Sequence, residues 1–221
     1  MIMKSINEYK NQAIEALDGN WGDAAVLMLI CFVVNIAASL LSDLSASTMT
    51  LMGVPFGLYT STPLSLLLAI VLTPMSWGLY VAFLNKARGN SIDNSYLTKG
   101  YGDFSRIAFT IVLSNIYIAL WSLLLFIPGI IKYYSYSMTP FILNDDPELS
   151  YNAAIEKSME MMSGHKMDLF LLDLSFIGWA ILCLLTLGIG FLWLYPYMYT
   201  AKACFYEDLK KEMTNDFEEV K

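Results

Sequence analysis

The residues of this chain that could carry chemistry are few, and the most informative are an acid and a base inside apolar sequence. Asp173 lies in the apolar segment 167–187, and Lys202 lies in the apolar segment 189–206. A charged side chain at the centre of a bilayer costs about 2.5–3.5 kcal/mol on insertion scales, so it is a candidate for function. If the chain turns near Gly188, both residues lie about 20 Å from that turn, because a helix rises about 1.5 Å per residue. The sequence therefore predicts an intramembrane ion pair between them.

Three roles are open for this pair. It could fix the register of a helical hairpin, which is the role we favour. It could instead lie in water near the inner membrane surface, or it could handle a proton or a substrate. Replacing Asp173 with Asn and Lys202 with Met, singly and together, separates these roles. A double variant as stable and active as the wild type would favour the structural role.

Two amides are further polar candidates within apolar segments. Asn35 lies in the middle of the segment 24–41, and Asn115 lies in the middle of the segment 107–127. Hydrogen bonding between helices is the role expected for such residues, with lining of a pore or cavity as the alternative.

No pattern in the sequence predicts a catalytic centre, a metal site or a bound cofactor. His165 is the only histidine of the chain, with no Cys, Glu or second His near it at ligand spacing. The sequence contains no GxSxG string for a nucleophile, and Gly188-Ile189-Gly190 lacks the rest of a phosphate-binding loop. We therefore expect a protein that is not an enzyme.

Composition indicates a membrane protein. The chain is 57% hydrophobic and 15% charged, whereas soluble domains contain about 25% charged residues. The net charge of −7 disfavours nucleic acid as a partner. The three cysteines lie in apolar runs without paired spacing, which predicts free thiols in the core. We expect one integral membrane domain over residues 1–221, in contact with membrane lipids.

Six apolar segments predict six transmembrane helices in three hairpins, an all-α bundle. A helix needs about 20 residues to cross the hydrocarbon core of a bilayer. One segment is shorter than this and contains Lys132 and Pro140. The predicted spans cover about 24–41, 64–84, 107–127, 130–144, 167–187 and 189–206.

The distribution of positive charge supports the short span and sets the topology. With six crossings, the connections after the second, fourth and sixth spans share one side with both termini. Lys and Arg gather in cytoplasmic connections, so we predict that both termini are cytoplasmic. The basic residues on that side are Lys4, Lys10, Lys86, Arg88, Lys99, Arg106, Lys157, Lys166, Lys210 and Lys211.

Amphipathic helices are predicted at the membrane surface before the first and third hairpins, over about 3–18 and about 147–163. Asp146 is the expected N-cap of the second one, with Pro147 in its first turn. The expected apolar face of the first consists of Ile6, Tyr9, Ala13, Ile14 and Leu17.

The hairpins share a sequence pattern that suggests a threefold repeat. Their second spans end in FLNKARG (83–89), FILNDDPE (141–148) and FYEDLKK (205–211), each of which begins with Phe. A proline precedes each Phe in these spans, and it would bend the helix or widen a cavity. These prolines are Pro74, Pro140 and Pro196.

Longer strings carry a family resemblance. They include ALDGNWG (16–22), LWSLLLFIPGIIKYYSYSMTPFIL (120–143), LTLGIGFLWLYPYM (185–198) and FYEDL (205–209). With these strings the chain resembles a bacterial family of multi-pass membrane proteins known as domain of unknown function family 975. It is also distantly similar to the membrane domain of some glycerophosphodiester phosphodiesterases. The resemblance implies a protein of the bacterial cell membrane, and it brings no catalytic residues.

Two functions remain open at this point. The first is a non-enzymatic membrane protein that binds or moves a lipid or other amphipathic ligand, or that serves as an accessory or scaffold. A cavity lined by Asn35 and Asn115 would support lipid handling. The alternative is a small ion-coupled transporter or permease that uses Asp173. A membrane-protein partner or a homo-oligomer is compatible with both.

Overall fold

The structure, a computed structural model, describes residues 4–51, 63–149 and 151–219, and within these ranges it is helical without a strand. This confirms the all-α prediction. A 3₁₀ turn over Gly100–Asp103 joins α4 to α5. The helices are α1 (Ile6–Leu17), α2 (Trp21–Leu51), α3 (Pro63–Ala87), α4 (Tyr96–Lys99), α5 (Phe104–Leu124), α6 (Phe126–Tyr136), α7 (Thr139–Asp145), α8 (Asn152–Met161), α9 (Lys166–Leu174), α10 (Ile177–Leu185) and α11 (Phe191–Glu219).

Four helical segments of the described chain are long and apolar enough to cross a membrane. They are Trp21–Asp43, Pro63–Ala87, Tyr96–Leu124 and Lys166–Leu185. These correspond to the first, second, third and fifth predicted spans. The fourth and sixth predicted spans are not among them, so the total of six crossings and the three hairpins stay predictions.

The fourth predicted span, 130–144, is divided between α6 and α7. Pro140 lies in the first turn of α7, where its missing N–H breaks no helical hydrogen bond. The break between these helices, at Ser137 and Met138, thus lies just before this proline. In contrast, Pro74 and Pro196 lie inside α3 and α11, as predicted.

The turn before α6 lies earlier than the sequence predicts. Helix α5 ends at Leu124, three residues before the predicted end of the third span at about residue 127, and α6 begins at Phe126. Gly129 lies within α6 and allows this helix to approach α5 closely, because a Cβ at this position would lie 2.1 Å from the Ser122 Oγ. The second predicted turn is correct, since Leu187 and Gly188 both adopt positive φ.

Helix α1 begins at a capping box. The Ser5 side chain accepts a hydrogen bond from the Glu8 N–H, and the Glu8 carboxylate accepts one from the Ser5 N–H. Tyr9, Ala13 and Leu17 are buried at helical spacing. Ile14, another residue of the predicted apolar face, is 45% exposed.

The second surface helix begins later than predicted. Helix α8 starts at Asn152 rather than near Pro147. Asp146 follows the last residue of α7 and forms an ion pair with Lys157, so it does not cap α8. Tyr151 precedes α8 with a φ of 50°, a left-handed conformation that turns the chain into the helix.

The core lies where α3, α7 and α11 pack together. Phe83, Phe141 and Phe205, the first residues of the three repeated strings, are almost fully buried. The Phe141 ring stacks on Tyr206 with centroids 5.1 Å apart and meets the edge of Tyr80 at 5.5 Å. Corresponding positions of the three strings thus lie in one region of the fold.

Candidate functional site

The structure brings Asp173 and Lys202 into contact. Asp173 lies on α9, and Lys202 lies on α11. The Lys202 Nζ is 3.0 Å from the Asp173 Oδ1, which is an ion-pair distance. The angles of this contact do not fit a hydrogen bond, and Oδ1 accepts none from the described residues. Both side chains are 17% exposed, so the pair is largely shielded from solvent.

Helix α6 adds a third group to this pair. The Tyr134 hydroxyl lies 3.5 Å from the Asp173 Oδ2, the second oxygen of the same carboxylate. Helices α9 and α11 are linked through α10 and the turn at Leu187 and Gly188. This connection places Asp173 and Lys202 at a similar distance from the turn, because their separations from it along the chain are nearly equal.

A cavity of about 420 Å³ lies on one side of the ion pair. It is open to the surface and bordered by α2, α3, α5, α6, α7 and α11. Most of its surface is apolar, and we call it the polar cavity after the amide, hydroxyl and ammonium groups that line it. Lys202 lines this polar cavity, and Asp173 does not. Asn35 and Asn115 line it from α2 and α5. Three of the four polar residues singled out in the sequence therefore surround one space.

The two amides face the cavity rather than bridge helices. The Asn35 Nδ2 donates a 2.8 Å hydrogen bond to the carbonyl of Cys31 in its own helix. Asn115 is exposed, and its side chain makes no hydrogen bond within the described ranges. Cavity lining, the alternative role, describes their position better than the expected bond between helices.

The polar cavity is also lined by several polar residues that the sequence analysis did not identify as candidates. Thr73, Ser76 and Tyr80 lie on one face of α3 at spacings of three and four residues. This periodicity inside an apolar span is the signal that could have revealed them. Thr139 lines the cavity as the first residue of α7. No periodicity in the sequence indicates this position, because a short helix begins there.

A second cavity of about 710 Å³ adjoins the first. Its walls are mostly apolar and come from α2, α3, α11 and the turn before α11. Met28, Leu29 and Leu192 are among the residues that line it. Asn35 and Ser76 line both cavities, so the apolar cavity and the polar cavity meet at these two side chains.

A charged cluster connects the C-terminal ends of α3 and α7 to the middle of α11. The Asp145 Oδ2 accepts hydrogen bonds from the Arg88 Nη2 and the Lys210 Nζ, each at 2.6 Å. The Arg88 Nε also donates to the Glu207 carboxylate at 2.8 Å. Burial alone would raise the pKa of Asp145, but the hydrogen bonds and charges of Arg88 and Lys210 hold it well below its usual value. The cluster ties together the ends of the three repeated strings.

The remaining candidates for chemistry form no site in the described part of the chain. His165 lies 3.5 Å from a carboxylate oxygen of Asp168 and 3.5 Å from one of Glu212. No group of three His, Cys, Asp or Glu side chains suited to a metal ion occurs among the described residues. Cys31, Cys183 and Cys204 are free and buried.

Membrane-length apolar helices and the polar cavity among them together define a helical protein of membrane type. Residues 123–213 match the model of a family described as protein of unknown function (DUF975). The matched region includes Asp173 and Lys202 and excludes Asn35 and Asn115. No curated protein and no solved structure matches the chain. The bacterial source and the similarity to phosphodiesterase membrane domains stay predictions.

Proposed function

We propose that this protein is an integral membrane protein that binds, and transfers without chemical change, a lipid or other amphipathic molecule. The observation that carries this proposal is the polar cavity of about 420 Å³ among membrane-length apolar helices. Inside such a bundle, uncompensated polar groups are costly. A ligand with a polar head could bind the Thr139 hydroxyl and the Asn115 amide, which line the cavity and whose side chains have no hydrogen-bond partner among the described residues.

The rim of the polar cavity supports access from the surroundings. Asn115 and Tyr133 both line the cavity and are exposed at the surface of the bundle. The neighbouring surface of α5 is apolar, with Ile116 and Leu120 exposed. In a bilayer these side chains would face lipid tails, so a lipid could enter sideways with its head directed toward the cavity.

We further propose six crossings with both termini in the cytoplasm of a bacterial cell. The positions of several charges support this topology. Lys4 pairs with Asp208, and the charged cluster joins Arg88 to Asp145 and Lys210. These pairs connect segments that the six-span topology places on one side of the membrane. That side carries most of the Lys and Arg residues, as the positive-inside rule expects of the cytoplasmic side.

The transporter alternative requires Asp173 to separate from Lys202 in at least one state. The structure holds the two side chains 3.0 Å apart. Flux through reconstituted protein would test it. A loss of flux in Asp173→Asn with unchanged lipid binding would favour ion-coupled transport over our proposal.

Lipid binding is tested by purifying the full chain in dodecyl maltoside and identifying retained lipids by mass spectrometry. We expect the wild type to retain about one lipid per chain. Asn115→Leu should reduce this amount, because it removes a polar side chain from the cavity while keeping a similar volume. Asn94→Leu is the matched control, since Asn94 lies outside the cavity before α4.

Equal retention by wild type, Asn115→Leu and Asn94→Leu would contradict binding in the polar cavity. A wild type without any retained lipid, also after incubation with lipid vesicles, would contradict lipid binding as such.

A further inference from the structure

The polar cavity and the apolar cavity meet in a way that suits a molecule with two chemically different ends. Asn35 and Ser76 line both spaces. Tyr80 lines the polar cavity and Tyr199 lines the apolar one, and their rings meet edge to face with centroids 4.8 Å apart. These four side chains form the boundary between the two spaces.

The polar cavity carries one formal charge in its described lining, and that charge is positive. Lys202 contributes it, while no Asp or Glu lines this space. The Lys202 ammonium has three N–H donors, and its 3.0 Å contact with the Asp173 Oδ1 does not use all of them. The ammonium can therefore donate hydrogen bonds to an acceptor in the cavity while it stays near Asp173.

Thr139 supplies an independent indication of a ligand. Its side chain is buried, it lines the polar cavity, and its Oγ1 has no hydrogen-bond partner among the described residues. Buried hydroxyls are almost always hydrogen-bonded. An oxygen-rich head group in the cavity would provide the missing partner.

We infer that the two cavities form one binding site for a lipid with an anionic head, whose phosphate or carboxylate oxygens contact Lys202 and whose acyl chain occupies the apolar cavity. This inference rests on the proposed function and specifies its ligand. Asp173 then competes with the lipid head for Lys202. Loss of Asp173 and loss of Lys202 should therefore have opposite effects on the binding of anionic lipid.

The test uses the full chain in dodecyl maltoside with equal amounts of phosphatidylglycerol and phosphatidylcholine that carry the same acyl chains. Native mass spectrometry measures the ratio of the two lipids bound. We expect the wild type to prefer phosphatidylglycerol by about fivefold, the ratio expected for one partly shared ion pair. Asp173→Asn should raise this ratio, and Lys202→Met should bring it close to one.

Two controls separate the inference from a loss of folding. Lys132→Met removes a lysine that lies over the Trp121 ring and lines neither cavity in the described part of the chain, and it should keep the wild-type ratio. The double variant Asp173→Asn/Lys202→Met leaves neither charge unpaired. It should elute as a folded monodisperse protein and bind the two lipids equally.

The position of the acyl chain is tested within helix α2. Leu29 lines the apolar cavity, so Leu29→Trp should fill part of it and reduce the retention of both lipids with little change in their ratio. Val26→Trp is the control, because Val26 lies on the same helix, is similarly exposed and does not line this cavity. Equal effects of the two substitutions would overturn the acyl-chain assignment.

Head groups with phosphate and with carboxylate are compared by repeating the measurement with oleate in place of phosphatidylglycerol. A fall in the ratio of bound anionic to neutral lipid in Lys202→Met, with either anion, supports the inference. The anion with the larger fall has the preferred head group. Equal binding of neutral and anionic lipid by the wild type would overturn the inference, as would parallel effects of Asp173→Asn and Lys202→Met. The proposed function would still stand if Asn115→Leu released both lipids.

Discussion

Removing one charge of the Asp173–Lys202 pair should destabilise the protein more than removing both. The Nζ and Oδ1 atoms are 3.0 Å apart, and each side chain is 17% exposed. Breaking a buried ion pair costs about 3–5 kcal/mol, because it leaves one buried charge without a partner. Since both groups retain some exposure, we expect about 3 kcal/mol for Asp173→Asn and for Lys202→Met, the lower end of this range.

The double variant should recover most of this loss. Replacing both members of a buried pair with neutral groups is often neutral for stability, so we expect Asp173→Asn/Lys202→Met to lie within about 1 kcal/mol of the wild type. The coupling free energy between the two substitutions should then exceed about 2 kcal/mol.

The free energy of unfolding is measured in dodecyl maltoside micelles by adding sodium dodecyl sulfate and following helical circular dichroism. Lys132→Met is the control, because its ammonium lies 5.2 Å from the centre of the Trp121 ring and forms no ion pair within the described ranges. We expect it to cost about 0.5–1 kcal/mol, the contribution of an exposed cation–π contact.

Two results would refute this reasoning. Additive losses in the double variant would show that the two charges do not stabilise each other. Single losses below about 0.5 kcal/mol would show that the pair behaves as a water-exposed one, which is the second role considered for it.

Three further predictions concern the charged cluster, helix packing and topology. Asp145→Asn should cost about 2 kcal/mol of unfolding free energy, the contribution of hydrogen bonds to a charged group. Because the pKa of Asp145 is lowered in the folded protein, this contribution is present above about pH 4 and is lost as the pH falls further. The stability curves of variant and wild type should therefore converge in acid. Gly78→Ala should cost about 1–3 kcal/mol in the same unfolding assay, because its Cβ would lie 2.3 Å from the backbone carbonyl oxygen of Tyr96. Gly22→Ala is the control and should cost nothing, because its Cβ would meet no atom within 4 Å. In intact cells, a membrane-impermeant maleimide should label Leu187→Cys and leave Ser163→Cys unlabelled; the reverse pattern would contradict the topology.

The membrane character of the chain is readable from local sequence because it depends on summed transfer free energy. Apolar runs such as 64–84 and 167–187 predict helices of membrane length wherever they lie in the fold, and both are found in such segments. The prediction is weakest for 130–144, where a new helix begins at Thr139, beside Pro140. A hydropathy sum does not register this break, since proline changes backbone geometry more than hydrophobicity.

The ends of elements are less readable, because several residues compete to form each cap. Asp146 and Pro147 resemble a helix start, but the Asp146 carboxylate pairs with Lys157 and the helix begins at Asn152. The exposure of Ile14 could not be predicted from the sequence for a related reason. A face of α1 is defined by what packs on it, and the packing of α11 on α1 selects Tyr9, Ala13 and Leu17.

By itself, the sequence determined the helical class, the membrane character and the identity of the polar residues inside apolar runs, since these follow from the side chains and their spacing. Only the tertiary structure decided which of these residues share a space. Asn35, Asn115 and Lys202 are far apart along the chain and line one cavity because α2, α5 and α11 pack around α3. Helical periodicity specifies the face on which a residue lies, whereas the neighbour of that face depends on how all the helices pack together.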